Sequence, residues 1–543
     1  MAAFMVSGQA RENIGHRSKL RKWLTVSAVA MSLIATGGHA ASTTAIGAQP
    51  EIRYAEAVDT PTSMPGNVSR NTTTDDIFVH VVESLVALRS DMSVAPMLAD
   101  SWSVSPDGKV YAFRLRHGVL FHDGVRMSSE SVKWSFEYLM NPRSGFVCRG
   151  IYTGSQGVKV LSVSAPDPET VVFVLDHPYS LFLKQLANPR CPLAILSPNS
   201  VDAQGRWSRP IGTGPYMFGE WRKGQYVRLE PFGAYKPRPE PPDGLAGRKV
   251  AYAPVRFVVI PDKAAQKSAL QSGQVDAISI DDGNLPPPDP KWNLVTGPGM
   301  EITGLLMQTR DPLLRSVAMR RAIASAMDLR GIVAATSNGR AHYNASLVPD
   351  TDLAYDPEEA RGYIYDSNRT KRLLAEAGYR GETLTIEVSA QFPSMFRLAI
   401  YMQSLLAKSG IRTELNVVEW AKQLSDFRSG KFQMMTIIYS ARLDPEQAYG
   451  DVLGNKEKRP MVQWENQAAS SLLKELRGIT DLNGRQKVFG QLHEMMLDDA
   501  PMIAMFELPD MHLVSTRLQG FQSWPLGRVR LFNVRKNLDG VAR

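Results

Sequence analysis

The segment 383–417 constrains the fold more than any other part of the chain. Its first residues, 383–389, alternate apolar and polar side chains, which predicts a strand with one buried face. An apolar stripe at helical spacing follows over 395–406, and a second alternating run closes the segment at 411–417. A strand, a helix and a strand in this order predict two parallel strands joined by a crossover helix. We therefore expect a parallel α/β sheet, to which we also assign a strand at 434–439.

Shorter patterns elsewhere predict elements of both kinds. The chain has 543 residues, more than the ~250–300 at which single cores stop growing, so two or three domains are expected. The predicted elements are helices at 77–88, 128–140 (with Ser128 as N-cap), 264–272, 468–477 and 486–498, strands at 111–115, 158–163, 170–175, 255–260 and 275–280, a turn at 212–216 that enters a strand pair, and an exposed loop at 236–249.

The N-terminus has the order of a secretory signal. Residues 1–40 carry five Lys or Arg against one Glu, and an apolar run at 23–35 follows the basic segment. This run is too short to span a bilayer with ease, and small residues precede a predicted cleavage after Ala40. We predict export to the periplasm. An N-terminal membrane anchor or a buried helix is the alternative.

Only two cysteines occur, Cys148 and Cys191. In an oxidising compartment such a pair is expected to form a disulfide, with two buried thiols as the alternative. With no histidine nearby in the sequence, the two cysteines make a poor metal site.

Charge and motifs argue against several classes of function. The net charge of +8 is not concentrated in a basic stripe beyond residue 40, so no nucleic-acid partner is expected. The glycines at 212 and 214 begin a dinucleotide fingerprint, but Met217 replaces its third glycine. His493 would need a second histidine at 497 for a zinc-protease helix, and Leu497 stands there. No phosphate-binding loop or nucleophile elbow occurs. We expect a binding protein with no cofactor and no enzymatic activity.

Seven short motifs, in the same order along the chain, resemble one family. The similar motifs lie at 95–102, 105–108, 115–124, 211–216, 317–323, 373–379 and 499–503. In this respect the chain resembles the dipeptide-, oligopeptide-, nickel- and opine-type substrate-binding proteins of ABC importers, the bacterial extracellular solute-binding proteins of family 5.

The resemblance implies an α/β, two-lobed periplasmic-binding-protein fold of type II, cluster C-like, whose cleft closes on a solute by hinge motion. It also implies a subdomain inserted in lobe one. The boundaries carried onto this chain are a signal peptide at 1–40, lobe one at 41–79, 196–303 and 508–543, the inserted subdomain at 80–195, and lobe two at 304–507.

The resemblance also points to ligand-binding residues. In peptide-binding relatives, an aspartate before an Asp-Pro pair contacts the ligand's amino group. The similar stretch here runs from Tyr439 through Ser440 and Ala441 to Asp444, one residue shorter, with Arg442 near the place of that aspartate. A guanidinium repels an ammonium and binds carboxylate or phosphate, so we predict an anionic ligand, with Asp444 holding Arg442 or binding ligand hydroxyls. Asp59 is a further candidate at the edge of the cleft. For Arg442 a surface position, and for Asp59 a simple turn role, are the alternatives.

The partners implied are a small solute (a peptide, an opine-like conjugate or a sugar phosphate) and an ABC permease with its ATPase, with the protein itself a monomer. Two other functions remain open at this point. One is a secreted hydrolase on an α/β scaffold, and the other is a solute sensor or chaperone that uses the same fold.

Overall fold

The computed structural model describes residues 50–66, 71–155, 157–280 and 285–537. The predicted signal peptide and its cleavage at Ala40 lie outside the described residues. Within these residues, no helix is both long and apolar enough to cross a membrane.

The described residues form helices and strands throughout their length. The α-helices are α1 (Thr72–Val81), α2 (Ser129–Met140), α3 (Phe182–Leu186), α4 (Lys263–Gln271), α5 (Val317–Ser325), α6 (Leu329–Thr336), α7 (Ser367–Glu376), α8 (Pro393–Lys408), α9 (Trp420–Ser429), α10 (Pro445–Val452), α11 (Gln467–Leu476) and α12 (Leu482–Asp499). The strands are β1 (Ile52–Glu56), β2 (Val86–Leu88), β3 (Val94–Pro96), β4 (Ala99–Val104), β5 (Val110–Leu115), β6 (Val160–Asp167), β7 (Thr170–Leu175), β8 (Tyr216–Arg222), β9 (Tyr226–Pro231), β10 (Val255–Val259), β11 (Ala277–Ser279), β12 (Trp292–Met307), β13 (Leu384–Val388), β14 (Thr413–Val417), β15 (Met434–Tyr439), β16 (Met502–Ser515), β17 (Leu518–Gln519) and β18 (Arg535–Lys536).

A ten-stranded mixed sheet forms the frame, with strand order β14-β13-β15-β12-β16-β11-β1-β10-β9-β8. The predicted strand–helix–strand unit is confirmed, because β13 pairs with β14 in parallel and α8 connects them. The predicted strand at 434–439 is also confirmed as β15, which pairs with β13 in parallel. On the other half of the sheet, β1 pairs in parallel with both β10 and β11.

Two long strands, β12 and β16, join the two halves of this sheet. Their antiparallel pairing shifts register between Gly297 and Glu301 and again between Thr303 and Gly304. The hydrophobic cores divide at the same place. Clusters drawn from 302–506 are separate from clusters drawn from 52–300 and 511–534, although Ala441 and Leu443 pack with the latter. The sheet therefore carries two separately packed bodies that meet at the irregular stretch of β12. One body is built from 302–506, and the other from 52–300 and 511–534.

A second, four-stranded sheet of order β4-β5-β7-β6 packs with α2 and α3. We call residues 99–186, which contain these elements, the small-sheet unit. Helix α2 begins after Ser128, as predicted from the sequence. The predicted disulfide is present, since Cys148 and Cys191 are bonded with their Cα atoms 5.8 Å apart. It fastens the 3₁₀ turn after α2 to the chain that leaves α3.

Two predictions from the sequence were wrong. The helix predicted at 77–88 is α1, which starts five residues earlier, where Asn71 caps it by accepting from the Thr74 N–H at 2.9 Å. It ends at Val81, because the chain then turns to extended backbone and pairs β2 with β3. The loop at 236–249 is irregular as predicted but not fully exposed. Lys249 is buried in it and pairs with buried Glu83 at 3.2 Å.

Candidate solute-binding cleft

A cavity of about 370 Å³ lies where β1 and β11 end and α1 and α4 begin. Open α/β sheets bind ligands beyond the carboxyl ends of their strands, since helix N-termini and strand ends leave polar backbone groups there. The long strands β12 and β16 close the other side, at the stretch where the two bodies meet. The side chains on its wall that can carry charge are Glu56, Asp76, Lys263, Glu301, Asp510, His512 and Arg528.

Arg528 anchors a group of carboxylates on the wall of the cavity. Its Nη1 atom lies 3.3 Å from Asp76 and 3.7 Å from Asp75. Burial raises the pKa of Asp75 to about 7, although Arg528 opposes the rise. Burial also raises the pKa of Glu56 well above its ordinary value, and the charge of Asp76 adds to this.

A second network fixes Asp510. Its carboxylate accepts from His512 Nε2 at 3.1 Å and from the Trp524 N–H at 3.0 Å. The other ring nitrogen of His512 is hydrogen-bonded to the Tyr54 hydroxyl at 3.2 Å. Burial alone would raise the pKa of Asp510, but His512 and the Trp524 N–H hold it below its ordinary value. Asp510 is thus an ionised carboxylate whose Oδ2 atom is held by two hydrogen bonds.

Glu301 stands at the junction of the two bodies, directly after the register shift of β12. It lines the cavity and is half-buried, and its carboxylate has no hydrogen-bond or ion-pair partner among the described residues. Burial raises its pKa, while the positive charges of Arg190 and Arg528 oppose the rise. Burial lowers the pKa of Arg190 to about 10, so this guanidinium stays charged at neutral pH.

The residues predicted at 439–444 do come together, in a smaller pocket on the other body. Tyr439, Ser440, Arg442 and Asp444 line it with the apolar residues Met300 and Ile302. The Tyr439 hydroxyl donates to Gln463 Oε1 at 2.6 Å. Ala441 is buried, and its carbonyl accepts from Arg190 Nη1 at 3.3 Å.

The expected pairing of Arg442 with Asp444 is wrong. Arg442 Nε donates to Asp451 Oδ2 at 2.6 Å, because Asp451 lies on α10, whose turns bring it back over the 440–442 segment. Asp444 instead caps α10, accepting from the Glu446 N–H at 3.0 Å. It also pairs with Arg485 and with Lys184.

Asp59 lies apart from both pockets. Its carboxylate accepts from the Gly224 N–H at 2.7 Å and from Trp221 Nε1 at 3.3 Å, at the turn of the β8–β9 hairpin. Neither pocket has Asp59 on its wall. The position fits a residue that braces a turn, which was the alternative for Asp59.

Three polar contacts link the two bodies across the cleft. Lys184 on α3 of the small-sheet unit lies 2.8 Å from Asp444 and 3.7 Å from Asp352 of the other body. Arg190 adds its bond to the Ala441 carbonyl.

Comparison with known proteins identifies the family. The model of the bacterial extracellular solute-binding proteins, family 5 Middle, matches residues 93–459. The chain belongs to this family.

Relatives of this family-5 chain match it over nearly its whole length. The dipeptide-binding protein of Escherichia coli (strain K12) is 26% identical over 509 residues, covering 87% of this chain and 91% of the relative. Heme-binding protein A of Haemophilus influenzae is 26% identical over 502 residues, covering 87% and 88%. The solved structure of HbpA2 from Haemophilus parasuis, 26% identical, superposes with a TM-score of 0.74 over 90% of this chain and 100% of that one. The predicted family and two-lobed fold are confirmed, and the family is one of binding proteins rather than enzymes.

Sequence reasoning missed most of the charged residues of the large cavity in this family-5 protein. Glu56, Glu301 and Arg528 belong to no motif, and hundreds of residues separate them along the chain. One signal was available for Glu56, since it is the last residue of a strand whose apolar sequence predicts burial. Nothing comparable distinguishes Glu301 or Arg528 from other charged residues.

Proposed function

We propose that this family-5 protein is the periplasmic solute-binding component of an ABC importer and that it encloses a peptide or peptide-like solute between its two lobes. The supporting observation is the cleft itself, where Glu301 and Arg528 line one cavity at the junction of two bodies and the charge of Arg190 acts on Glu301. A zwitterionic solute satisfies such a site, because each charged end gains a partner when water is excluded.

The relatives support a peptide-like solute. One matched relative is a dipeptide-binding protein, and AgaA, whose structure contains agropinic acid, superposes with a TM-score of 0.67 at 24% identity. We keep residues 439–444 as the lobe-two wall of the site. The predicted anionic group of the solute would face Arg442 and Arg190, with Asp451 holding the Arg442 guanidinium in place.

We keep the predicted lobe boundaries at 303/304 and 507/508 as part of the proposal, with an ABC permease and its ATPase as partners of a monomeric protein. Closure would present both lobes to the permease together. The predicted signal at 1–40 would place the protein in the periplasm, and N-terminal sequencing of the mature protein should begin at Ala41. A mature chain that begins at Met1 would contradict export by this route.

Two measurements test the function. Calorimetry with a mixed dipeptide pool should show saturable binding, and small-angle scattering should show a smaller radius of gyration at saturation than in solute-free protein. The proposal is wrong if no solute, from this pool or from a concentrated cell extract, both binds and compacts the protein.

A further inference from the structure

Three hydrogen-bond acceptors of the large cavity have no donor among the described residues. Two are the buried atoms Glu56 Oε1 and Gln266 Oε1, and the third is the half-buried carboxylate of Glu301. Glu56 is 9% exposed and Gln266 is 1% exposed, so these two side chains are removed from bulk water. Buried polar atoms are nearly always hydrogen-bonded, and leaving one unpaired costs ~1–3 kcal/mol. Three unpaired acceptors on one cavity indicate that something else supplies donors there.

The neighbouring groups do not supply those donors. Gln266 Nε2 donates to the Ile260 carbonyl at 2.7 Å, which leaves its oxygen as the free end of the amide. Glu56 uses its second oxygen, Oε2, to accept from Thr73 at 3.1 Å. Arg528 is taken up by Asp75 and Asp76. The missing partner therefore comes from outside the described chain.

The charged side chains on the cavity wall also favour a ligand that donates hydrogen bonds. The wall holds four carboxyls (Glu56, Asp76, Glu301 and Asp510) against three basic side chains, Arg528, Lys263 and His512. In the described ranges these acidic groups are not arranged as ligands of a single metal ion. An organic cation with several N–H donors satisfies both the charge and the acceptors, as an ammonium has three donors and a guanidinium five.

We propose that this cavity is the subsite for the cationic end of the solute, an ammonium or a guanidinium, with Glu301 as its principal acceptor. This rests on the proposed function and names the chemistry of one end of its solute. It places the cation on the lobe-one side of the cavity, beside β12. The anionic end of the solute is left for Arg442 and Arg190. The charge of the solute would then be recognised at two places rather than by Arg442 alone.

Three dipeptide pools, otherwise matched in composition, test the proposal. One has free N-termini, one is N-acetylated and lacks Lys and Arg, and one is N-acetylated and contains arginine. They are titrated by calorimetry into wild type, Glu301→Gln and the control Glu137→Gln. Glu137 is an exposed residue of α2 whose side chain makes no ion pair in the described ranges.

We expect wild type and Glu137→Gln to bind a pool that carries a cation at least tenfold more tightly than the neutral acetylated pool. Preference for the free N-termini identifies an ammonium site, and preference for the acetylated arginine pool identifies a guanidinium site. Glu301→Gln should lose this preference while retaining the weak binding of the neutral pool. Removing the cation and removing the carboxylate should then be non-additive, as for two groups in contact.

The proposal is overturned if the neutral acetylated pool binds wild type as tightly as the others, if Glu301→Gln keeps the preference, or if no cationic pool binds. If Glu301→Gln fails to fold by circular dichroism, Glu301→Asp replaces it, since the shorter carboxylate should keep the preference at reduced strength. A neutral or anionic solute that binds and compacts the protein would reject this subsite but leave the proposed function standing.

Discussion

Lys184→Met, a change on the small-sheet unit, should weaken closure of the cleft. Lys184 Nζ lies 2.8 Å from Asp444 Oδ2 and 3.7 Å from Asp352 across the cleft, and we expect these contacts only when the two bodies are together. The side chain of Lys184 is only 20% exposed and that of Asp444 only 3% exposed, so solvent screens this pair weakly. Methionine keeps the apolar stem of the side chain but removes the ammonium.

The magnitude follows from what each carboxylate keeps after the change. Asp444 retains Arg485, whereas Asp352 Oδ2 already lacks a hydrogen bond and loses its nearest cation. A hydrogen bond between charged groups contributes ~1.5–3 kcal/mol, which corresponds to about a 10- to 150-fold change in an equilibrium constant. In an open form Lys184 would be hydrated and would gain nothing from Asp444. The loss therefore falls on the closed form alone, and solute affinity falls in proportion to the closed population.

Scattering and calorimetry measure this prediction together. At a solute concentration that compacts wild type fully, Lys184→Met should remain partly expanded, and its Kd for the dipeptide pool should rise at least tenfold. Lys159→Met is the matched control, because Lys159 is an exposed lysine of the same unit whose ammonium makes no ion pair in the described part of the chain; its backbone N–H bond to Asp176 is kept by methionine. The reasoning is refuted if Lys184→Met and Lys159→Met bind and compact alike.

Three further predictions concern other parts of the protein. Arg442→Ala should weaken binding of a solute that carries a carboxylate by ~1.5–3 kcal/mol, and equal calorimetric affinities would remove Arg442 from the site. Burial raises the pKa of Glu507 from 4.5 to about 8, so between these values the folded protein binds more protons than the unfolded one and stability falls as pH rises. Glu507→Gln should therefore raise the Tm at pH 8 and leave it nearly unchanged at pH 5, and an equal shift at both values would contradict this. Cys148→Ser/Cys191→Ser should lose up to about 4 kcal/mol of unfolding free energy in urea, from the loop of 43 residues that the bond closes, and two titratable thiols in unreduced wild type would exclude the bond.

The elements that the sequence predicted well are those whose signal is local. The strand–helix–strand unit at 383–417 and the cap at Ser128 depend on side chains two to four positions apart. Periodicity of this kind reports the burial of one face, which the chain expresses within a single element. Helix 77–88 was misplaced because Leu85 and Leu88 continue the apolar spacing, although Leu88 belongs to β2, which pairs with β3, and Leu85 directly precedes that strand.

The sequence by itself therefore determined the fold class, the family and the cysteine pair, because motifs and spacings carry them. Only the tertiary structure decided which charges meet. Lys184 and Asp444 are 260 positions apart, and Leu531 and His80, hydrogen-bonded behind the cavity wall, are 451 apart. Likewise, Arg442 pairs with Asp451 rather than Asp444. Helix α10 brings the Asp451 carboxylate back to Arg442, whereas the Asp444 carboxylate caps the N-terminus of that helix. Such partners depend on how sheets and helices bring distant segments together and on which charged groups are removed from water by burial. The local spacing of residues in the sequence predicts neither.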